Sequence, residues 1–138
     1  MNHLSKIFVF KIAATVIAWS LPLIFLPASA LESLGFPEQE SYMFVRMLGW
    51  AYLALCVGYA FGLAASLRNT RLLGPIWVGI VSNGGACLYL FYYGIAGTWS
   101  EWGAAVQFIA WGSVLATAII TSGLIAFGVF GKDPVVGD

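Results

Sequence analysis

The sequence predicts an all-α integral membrane protein, in which residues 1–138 form one transmembrane domain, an up-down-up-down four-helix bundle. Apolar residues make up 61% of the chain and charged residues only 9%, whereas a soluble domain has roughly 25% charged residues. Four apolar runs are long enough to cross a hydrocarbon core of about 30 Å as helices. Each run is too long and too evenly apolar to be a strand.

The first apolar run covers residues 7–26 and ends at Pro27, where a polar segment begins. It contains Lys11, whose long side chain we expect to reach toward the membrane surface. Residues 28–30 read Ala-Ser-Ala, which also fits a signal-peptidase site. Cleavage there would leave a mature protein of three spans beginning at Leu31. A retained first helix completes the bundle, so retention is our prediction.

The other three runs cover residues 43–67, 72–95 and 104–130. Residues 68–71 (RNTR) form a short turn between the second and third spans, and residues 97–100 (GTWS) form another before the fourth. Because such short turns leave little room for other arrangements, the spans are expected to alternate in direction.

The charged residues sort by sign along the chain. Positive side chains concentrate where an even number of crossings returns the chain to the cytoplasm: Lys6, Lys11, Arg68, Arg71 and Lys132. The glutamates fall on the other side: Glu32, Glu38, Glu40 and Glu101. This positive-inside pattern predicts that both termini are cytoplasmic. We also expect the part of the bundle within the bilayer to be neutral.

Asn83 is the strongest polar group near the middle of the third span, beside the packing residues Gly84 and Gly85. Because an unpaired amide in hydrocarbon costs several kcal/mol, we expect it to hydrogen-bond to a facing helix. The natural partners share an arc of about 80° on the fourth span: Gln107, Thr117 and Thr121. The same polar residues are the candidate contacts of a substrate or ion.

Two further features mark the second span. Arg46 lies about one turn inside its outer end, and it either pairs with a loop carboxylate or anchors an anionic lipid head group or substrate. Gly58 and Gly62 form a G-x-x-x-G pair, which predicts close helix packing within the protein or between copies.

Aromatic side chains crowd the outer interface, as in the aromatic belt of membrane proteins. Trp50, Tyr89 and Trp111 lie deeper and are the candidate contacts of a lipid-like ligand, such as a quinone or another pigment. No cofactor is otherwise predicted.

Catalysis by this chain alone is not expected. His3 is the only histidine and lies outside the spans, and no aspartate or glutamate lies inside one. Cys56 and Cys87 lack the spacing of a metal or redox motif, so no metal site is predicted. Acidic and basic residues are equal in number, which argues against nucleic acid as a partner.

A glycine-and-leucine pattern carries a family resemblance. Leu26-Pro27 through Leu34-Gly35, followed by residues 46–49 (RMLG) with Ala51, Leu53 and Gly58, resembles the opening of DoxX-type small membrane proteins. The resemblance implies a four-helix protein of the bacterial inner membrane. Some proteins of that type are subunits of quinone-linked oxidoreductases, so the resemblance implies that role as well.

These observations favour a non-catalytic structural or accessory subunit of a larger membrane assembly. Its expected partners are membrane lipids and either other membrane subunits or further copies of the chain. The alternatives are a small oligomeric transporter or channel for a neutral or lipid-like solute, and a quinone-linked membrane redox subunit.

Overall fold

The computed structural model describes residues 2–132 and 134–136, and the chain is 78% helical. Its four long helices confirm the all-α class and the four candidate membrane spans. These helices are α1 (His3–Phe25), α3 (Met43–Leu67), α4 (Leu73–Ile95) and α5 (Ala104–Val129). A short helix, α2 (Ala28–Ser33), follows Pro27 in the segment where no helix was predicted.

Helix α1 begins four residues earlier than the sequence predicts. The side chain of Asn2 accepts a hydrogen bond from the backbone N–H of Ser5 at 2.8 Å, which caps the helix and pairs one of its free N–H groups. Lys11 is therefore well inside the helix rather than near its beginning.

Both end helices contain π-helical turns. Helix α1 is α-helical over His3–Thr15, π-helical over Val16–Ser20 and α-helical again over Leu21–Phe25. Pro22 explains the irregularity, because proline lacks an N–H and its ring clashes with the carbonyl four residues earlier. In α5, the regular helix Ala104–Gly123 continues as a π-helix over Leu124–Val129.

The chain termini and the turn between α3 and α4 meet at one end of the bundle, called here the termini end. Asn2 donates to the Ser66 carbonyl at 2.8 Å. The strand β1 (Arg71–Leu72) pairs in parallel with β2 (Val135–Val136). The four long helices therefore alternate in direction. That this end faces the cytoplasm stays a prediction.

Arg71 differs from the solvated turn residue that the charge pattern suggests. It is only 8% exposed, and its Nη1 donates to the carbonyls of Gly128 at 2.7 Å and Val129 at 3.0 Å. The last carbonyls of a helix have no partner within it, so the guanidinium caps α5.

At the opposite end of the bundle, two glycines are in contact. Gly35 has a φ of +101°, and the backbone N–H of Gly103 donates to its carbonyl at 3.2 Å. A Cβ atom on Gly35 would collide with the backbone of Gly103. The loop after α2 therefore rests directly on the beginning of α5.

The bundle consists of two helical hairpins. Helix α1 packs mainly on α3, and α4 packs mainly on α5, whereas contacts between the hairpins are fewer. A core cluster near the termini end joins all four helices and consists of Leu4, Phe8, Tyr59, Ile76, Ile120 and Leu124. Beyond this core cluster, Trp19 Nε1 on α1 donates to Ser113 Oγ on α5 at 3.1 Å, which also joins the two hairpins.

Candidate functional site

A cavity of about 500 Å³ lies between the two hairpins. Side chains from all four long helices line it, and Ile120 is shared between its wall and the core cluster. Its volume falls in the range of small-molecule sites, roughly 300–1,000 Å³. The cavity is therefore the candidate functional site of the chain.

Several residues that line the cavity have small side chains. The cavity wall contains five of them: Ala14, Ala18, Ala86, Gly112 and Ala116. On α1, Ala14 and Ala18 follow Lys11 at intervals of three and four residues, so they share one helix face. The rest of the wall is mostly apolar, and its polar members are Lys11, Thr15, Ser82, Asn83, Ser113 and Thr117.

Lys11 is a half-buried residue that lines the cavity. It stands eight residues after His3, or about 12 Å along α1. Its Nζ lies 5.6 Å from the ring centroid of Tyr59, which stands eight residues before the end of α3 at Leu67. Both groups are thus at a similar depth from the termini end. Lys11 lines the cavity, so a lysine lies among the inward-facing residues, where only neutral ones were expected. That its side chain reaches the membrane surface stays a prediction.

The aromatic ring explains in part how the amine is accommodated. A cation over the face of tyrosine gains roughly 0.5–2 kcal/mol, depending on how dry the site is. Removing an ammonium from water costs several kcal/mol more than that. Among the described residues, no carboxylate or carbonyl accepts a hydrogen bond from Lys11.

A hydrogen-bonded chain continues from Tyr59 to α4. The hydroxyls of Tyr59 and Ser82 are 2.7 Å apart. Asn83 Nδ2 donates to the Gly79 carbonyl at 2.6 Å and lies 3.4 Å from Ser82 Oγ. Asn83 is 1% exposed, and its Oδ1 has no hydrogen-bond partner within residues 2–132 and 134–136.

The three residues of the polar stripe predicted on the fourth span have different surroundings in the structure. Gln107 Nε2 donates to the carbonyls of Ser100 at 3.0 Å and Trp102 at 2.7 Å, at the opposite end. Thr117 Oγ1 donates to the Ser113 carbonyl at 2.6 Å, within its own helix, and lines the cavity.

Thr121 is the third member of that stripe. Its Cγ2 lies 3.6 Å from where a Cβ on Gly84 would be, so it packs against α4 rather than lining the cavity. Within the described chain, its buried Oγ1 has no hydrogen-bond partner. Asn83 bonds within α4 instead of to this stripe, because the Gly79 carbonyl is its nearest acceptor.

The three deep aromatic residues do not converge. Tyr89 lines the cavity and is 67% exposed, so it stands at the cavity mouth. Trp50 is 59% exposed and lies outside the cavity wall. Trp111 packs edge-on against Trp99, with ring centroids 5.8 Å apart, near the opposite end.

Arg46 caps a helix. Its Nη1 donates to the Leu23 carbonyl at 2.6 Å, near the end of α1, and its guanidinium lies 5.9 Å from the Tyr42 ring centroid. No carboxylate in the described part of the chain pairs with it. Glu32 Oε1 instead accepts a hydrogen bond from the Tyr42 hydroxyl at 2.7 Å, and this hydrogen bond raises the pKa of Tyr42 above its ordinary value.

The predicted packing glycines divide into two kinds. A Cβ on Gly62 would lie 2.6 Å from Phe8 and 2.9 Å from Pro75, so Gly62 is a close contact. At Gly58 and Gly85, a Cβ would meet no described atom within 4 Å.

Sequence reasoning missed most of the cavity, including Lys11, Thr15, Trp19, Tyr52, Ser82 and Ser113. One signal was available. Lys11 interrupts an apolar run, and Thr15 follows it four residues later on the same helix face. A charged residue within a span marks a functional site by default.

Among the described residues, no group of three or more histidine, cysteine, aspartate or glutamate side chains could hold a metal ion. Cys56 and Cys87 are both free thiols. The polar groups of the cavity are an amine, an amide and hydroxyls, which can bind and orient a ligand by hydrogen bonding.

Comparison of the chain with protein-family models, with curated proteins and with solved structures finds no match. The resemblance to DoxX-type proteins therefore stays a prediction from the residues that carry it.

Proposed function

We propose that this chain is a non-catalytic protein of the bacterial inner membrane that holds a lipid-like molecule between its helices, as an accessory subunit of a larger membrane assembly. The cavity between the two hairpins is the observation that carries this proposal. Its walls come from every long helix, so the site belongs to the architecture rather than to one surface groove.

The cavity opens toward the surroundings near the opposite end. Tyr89 and Phe108 line it and are nevertheless 67% and 80% exposed. Tyr89 is six residues from the end of α4, and Phe108 is four residues from the beginning of α5. In a bilayer, an opening between such residues admits molecules that are already dissolved in the lipid.

The closed end favours retention of a ligand over conduction. The core cluster fills the space between all four helices near the termini end, where Ile76 is 0% exposed and Leu124 is 1% exposed. A channel would need a path through this cluster. A quinone is the alternative lipid-like occupant, and Trp50 and Trp111 would not contact it in the cavity.

Gly112→Leu should reduce the amount of lipid that remains bound to the purified protein. Gly112 lines the cavity, and a Cβ there would meet no described atom within 4 Å, so the larger side chain occupies the space without an immediate clash. Native mass spectrometry of protein extracted in mild detergent, followed by lipid extraction, measures the bound molecule and any partner subunits.

Gly85→Leu is the matched control. Gly85 is also a mid-helix glycine with open space at its Cβ, but it lies outside the cavity wall. We expect this variant to retain the lipid of the wild-type protein. Equal lipid content in wild type and both variants, or none in any of them, would contradict the proposal.

A further inference from the structure

We infer that Lys11 binds the head group in this cavity, and that the ligand is a single-chain amphiphile ending in a carboxylate, such as a long-chain fatty acid. This inference rests on the proposed function, because it identifies the chemical class of the molecule that the cavity holds.

The amine of Lys11 has donors without a matching acceptor. An ammonium carries three N–H donors and no acceptor. Its Nζ lies 5.6 Å from the ring centroid of Tyr59 on α3. The ring attracts the charge but accepts no ordinary hydrogen bond from it. An oxygen ligand would supply the acceptor that the ring does not.

The glutamates of the chain cannot provide that oxygen. Glu32 lies in α2, Glu38 and Glu40 lie between α2 and α3, and Glu101 lies between α4 and α5. All four are exposed at the opposite end of the bundle. An anionic ligand would therefore bring the only carboxylate near Lys11 among the groups that the structure describes.

The one charged side chain in the described wall lies toward the closed end of the cavity. Lys11, Ser82 and Asn83 lie toward the core cluster, which closes the cavity. Leu90, Phe108 and Ile109 lie toward the open end, where the polar side chains are neutral and Trp19 Nε1 already donates to Ser113 Oγ at 3.1 Å. From Ser82 to Leu90 the wall extends about 12 Å along α4. A ligand with a polar head inside and an apolar tail toward the lipid fits this arrangement.

The enclosure favours a carboxylate over a phospholipid head group. Four helices surround the closed end, and Lys11 is the single lysine or arginine in the described wall. A phospholipid would have to bring its glycerol and a second tail through the same gap. A fatty acid ends in two oxygens on one chain, which the three donors of an ammonium can bind.

The test compares a long-chain fatty acid with its methyl ester. Their dissociation constants are measured on purified protein by displacement of a fluorescent fatty acid, for the wild type, Lys11→Met and Lys6→Met. Lys6 is an exposed lysine on the same helix and controls for loss of a positive charge. Lys11→Gln is a second variant that keeps a polar side chain.

In the wild type, we expect the acid to bind more tightly than the ester. Lys11→Met and Lys11→Gln should weaken binding of the acid by about tenfold or more and leave binding of the ester nearly unchanged. Lys6→Met should behave as the wild type does. Thermal unfolding of each variant verifies that a loss of binding is not a loss of fold.

Two results would overturn the inference while leaving the cavity as a binding site. One is equal binding of acid and ester, unaffected by Lys11→Met but blocked by Gly112→Leu. The other is displacement of the probe by phosphatidylglycerol vesicles and not by the fatty acid. If neither acid nor ester binds, and Gly112→Leu changes no bound lipid, the proposed function fails as well.

Discussion

Gly62→Leu is expected to destabilise the bundle by about 3 kcal/mol, at the upper end of the usual cost of overpacking a core. Gly62 is buried, and a Cβ there would already lie 2.6 Å from Phe8 Cζ and 2.9 Å from Pro75 Cβ. Phe8 belongs to the core cluster, and the ring of Pro75 cannot rotate away. Relief would require α1, α3 and α4 to separate at the termini end.

Gly58→Leu is the control for this change, since it alters the other member of the same G-x-x-x-G pair. A Cβ on Gly58 meets no described atom within 4 Å. Thermal unfolding in detergent, with size-exclusion chromatography of both variants, should show a large loss for Gly62→Leu and little for Gly58→Leu. Equal losses would show that the helices do not pack as described.

Unlike Gly62→Leu, Asn83→Leu is expected to keep or raise the stability of the bundle. It should also reduce the amount of bound lipid. A buried acceptor without a partner costs roughly 1–3 kcal/mol, and Asn83 Oδ1 is such an atom among the described residues. Leucine removes that atom together with the amide donor, whose hydrogen bond to the Gly79 carbonyl lies within α4. The unfolding temperature should therefore stay constant or rise. The bound lipid should decrease, because the cavity loses a polar group near Lys11.

Thr121→Val is the control that separates the effect of Asn83→Leu on stability from its effect on bound lipid. Thr121 Oγ1 is also buried with no described partner, but Thr121 does not line the cavity. The substitution keeps the methyl group that packs near Gly84. We expect unchanged or higher stability with wild-type lipid content. A marked loss of stability in Asn83→Leu would instead assign Asn83 to holding the fold together.

The helices were predictable because span length and hydropathy are properties of each segment alone. Residues 43–67 were predicted as a span and form α3 with the same bounds. The beginning of α1 was missed because it depends on the capping bond from Asn2, and α2 was missed because Pro27 was read only as a break.

The cavity was less predictable, because it depends on how helices face one another. An alanine in a helix is compatible both with tight packing and with open space beside it. The spacing of the two hairpins decides that Ala14, Ala18 and Ala86 border a cavity. Asn83 was identified as a deep polar residue, but its bonding partner depends on the rotation of α4. That Lys11 lines the cavity was missed because it depends on which face of α1 meets the other helices.

Photochemical cross-linking tests most directly whether a lipid-like molecule occupies the cavity. An alkyl probe with a photoreactive group in its tail, used as the acid and as the methyl ester, is irradiated with the protein in nanodiscs. Peptide mass spectrometry then locates the adducts. We predict labelling at Ala86, Leu90 and Ile109, which line the cavity, and loss of that labelling in Gly112→Leu. Labelling confined to outward-facing side chains such as Leu88 and Leu115, and unchanged in Gly112→Leu, would contradict the account.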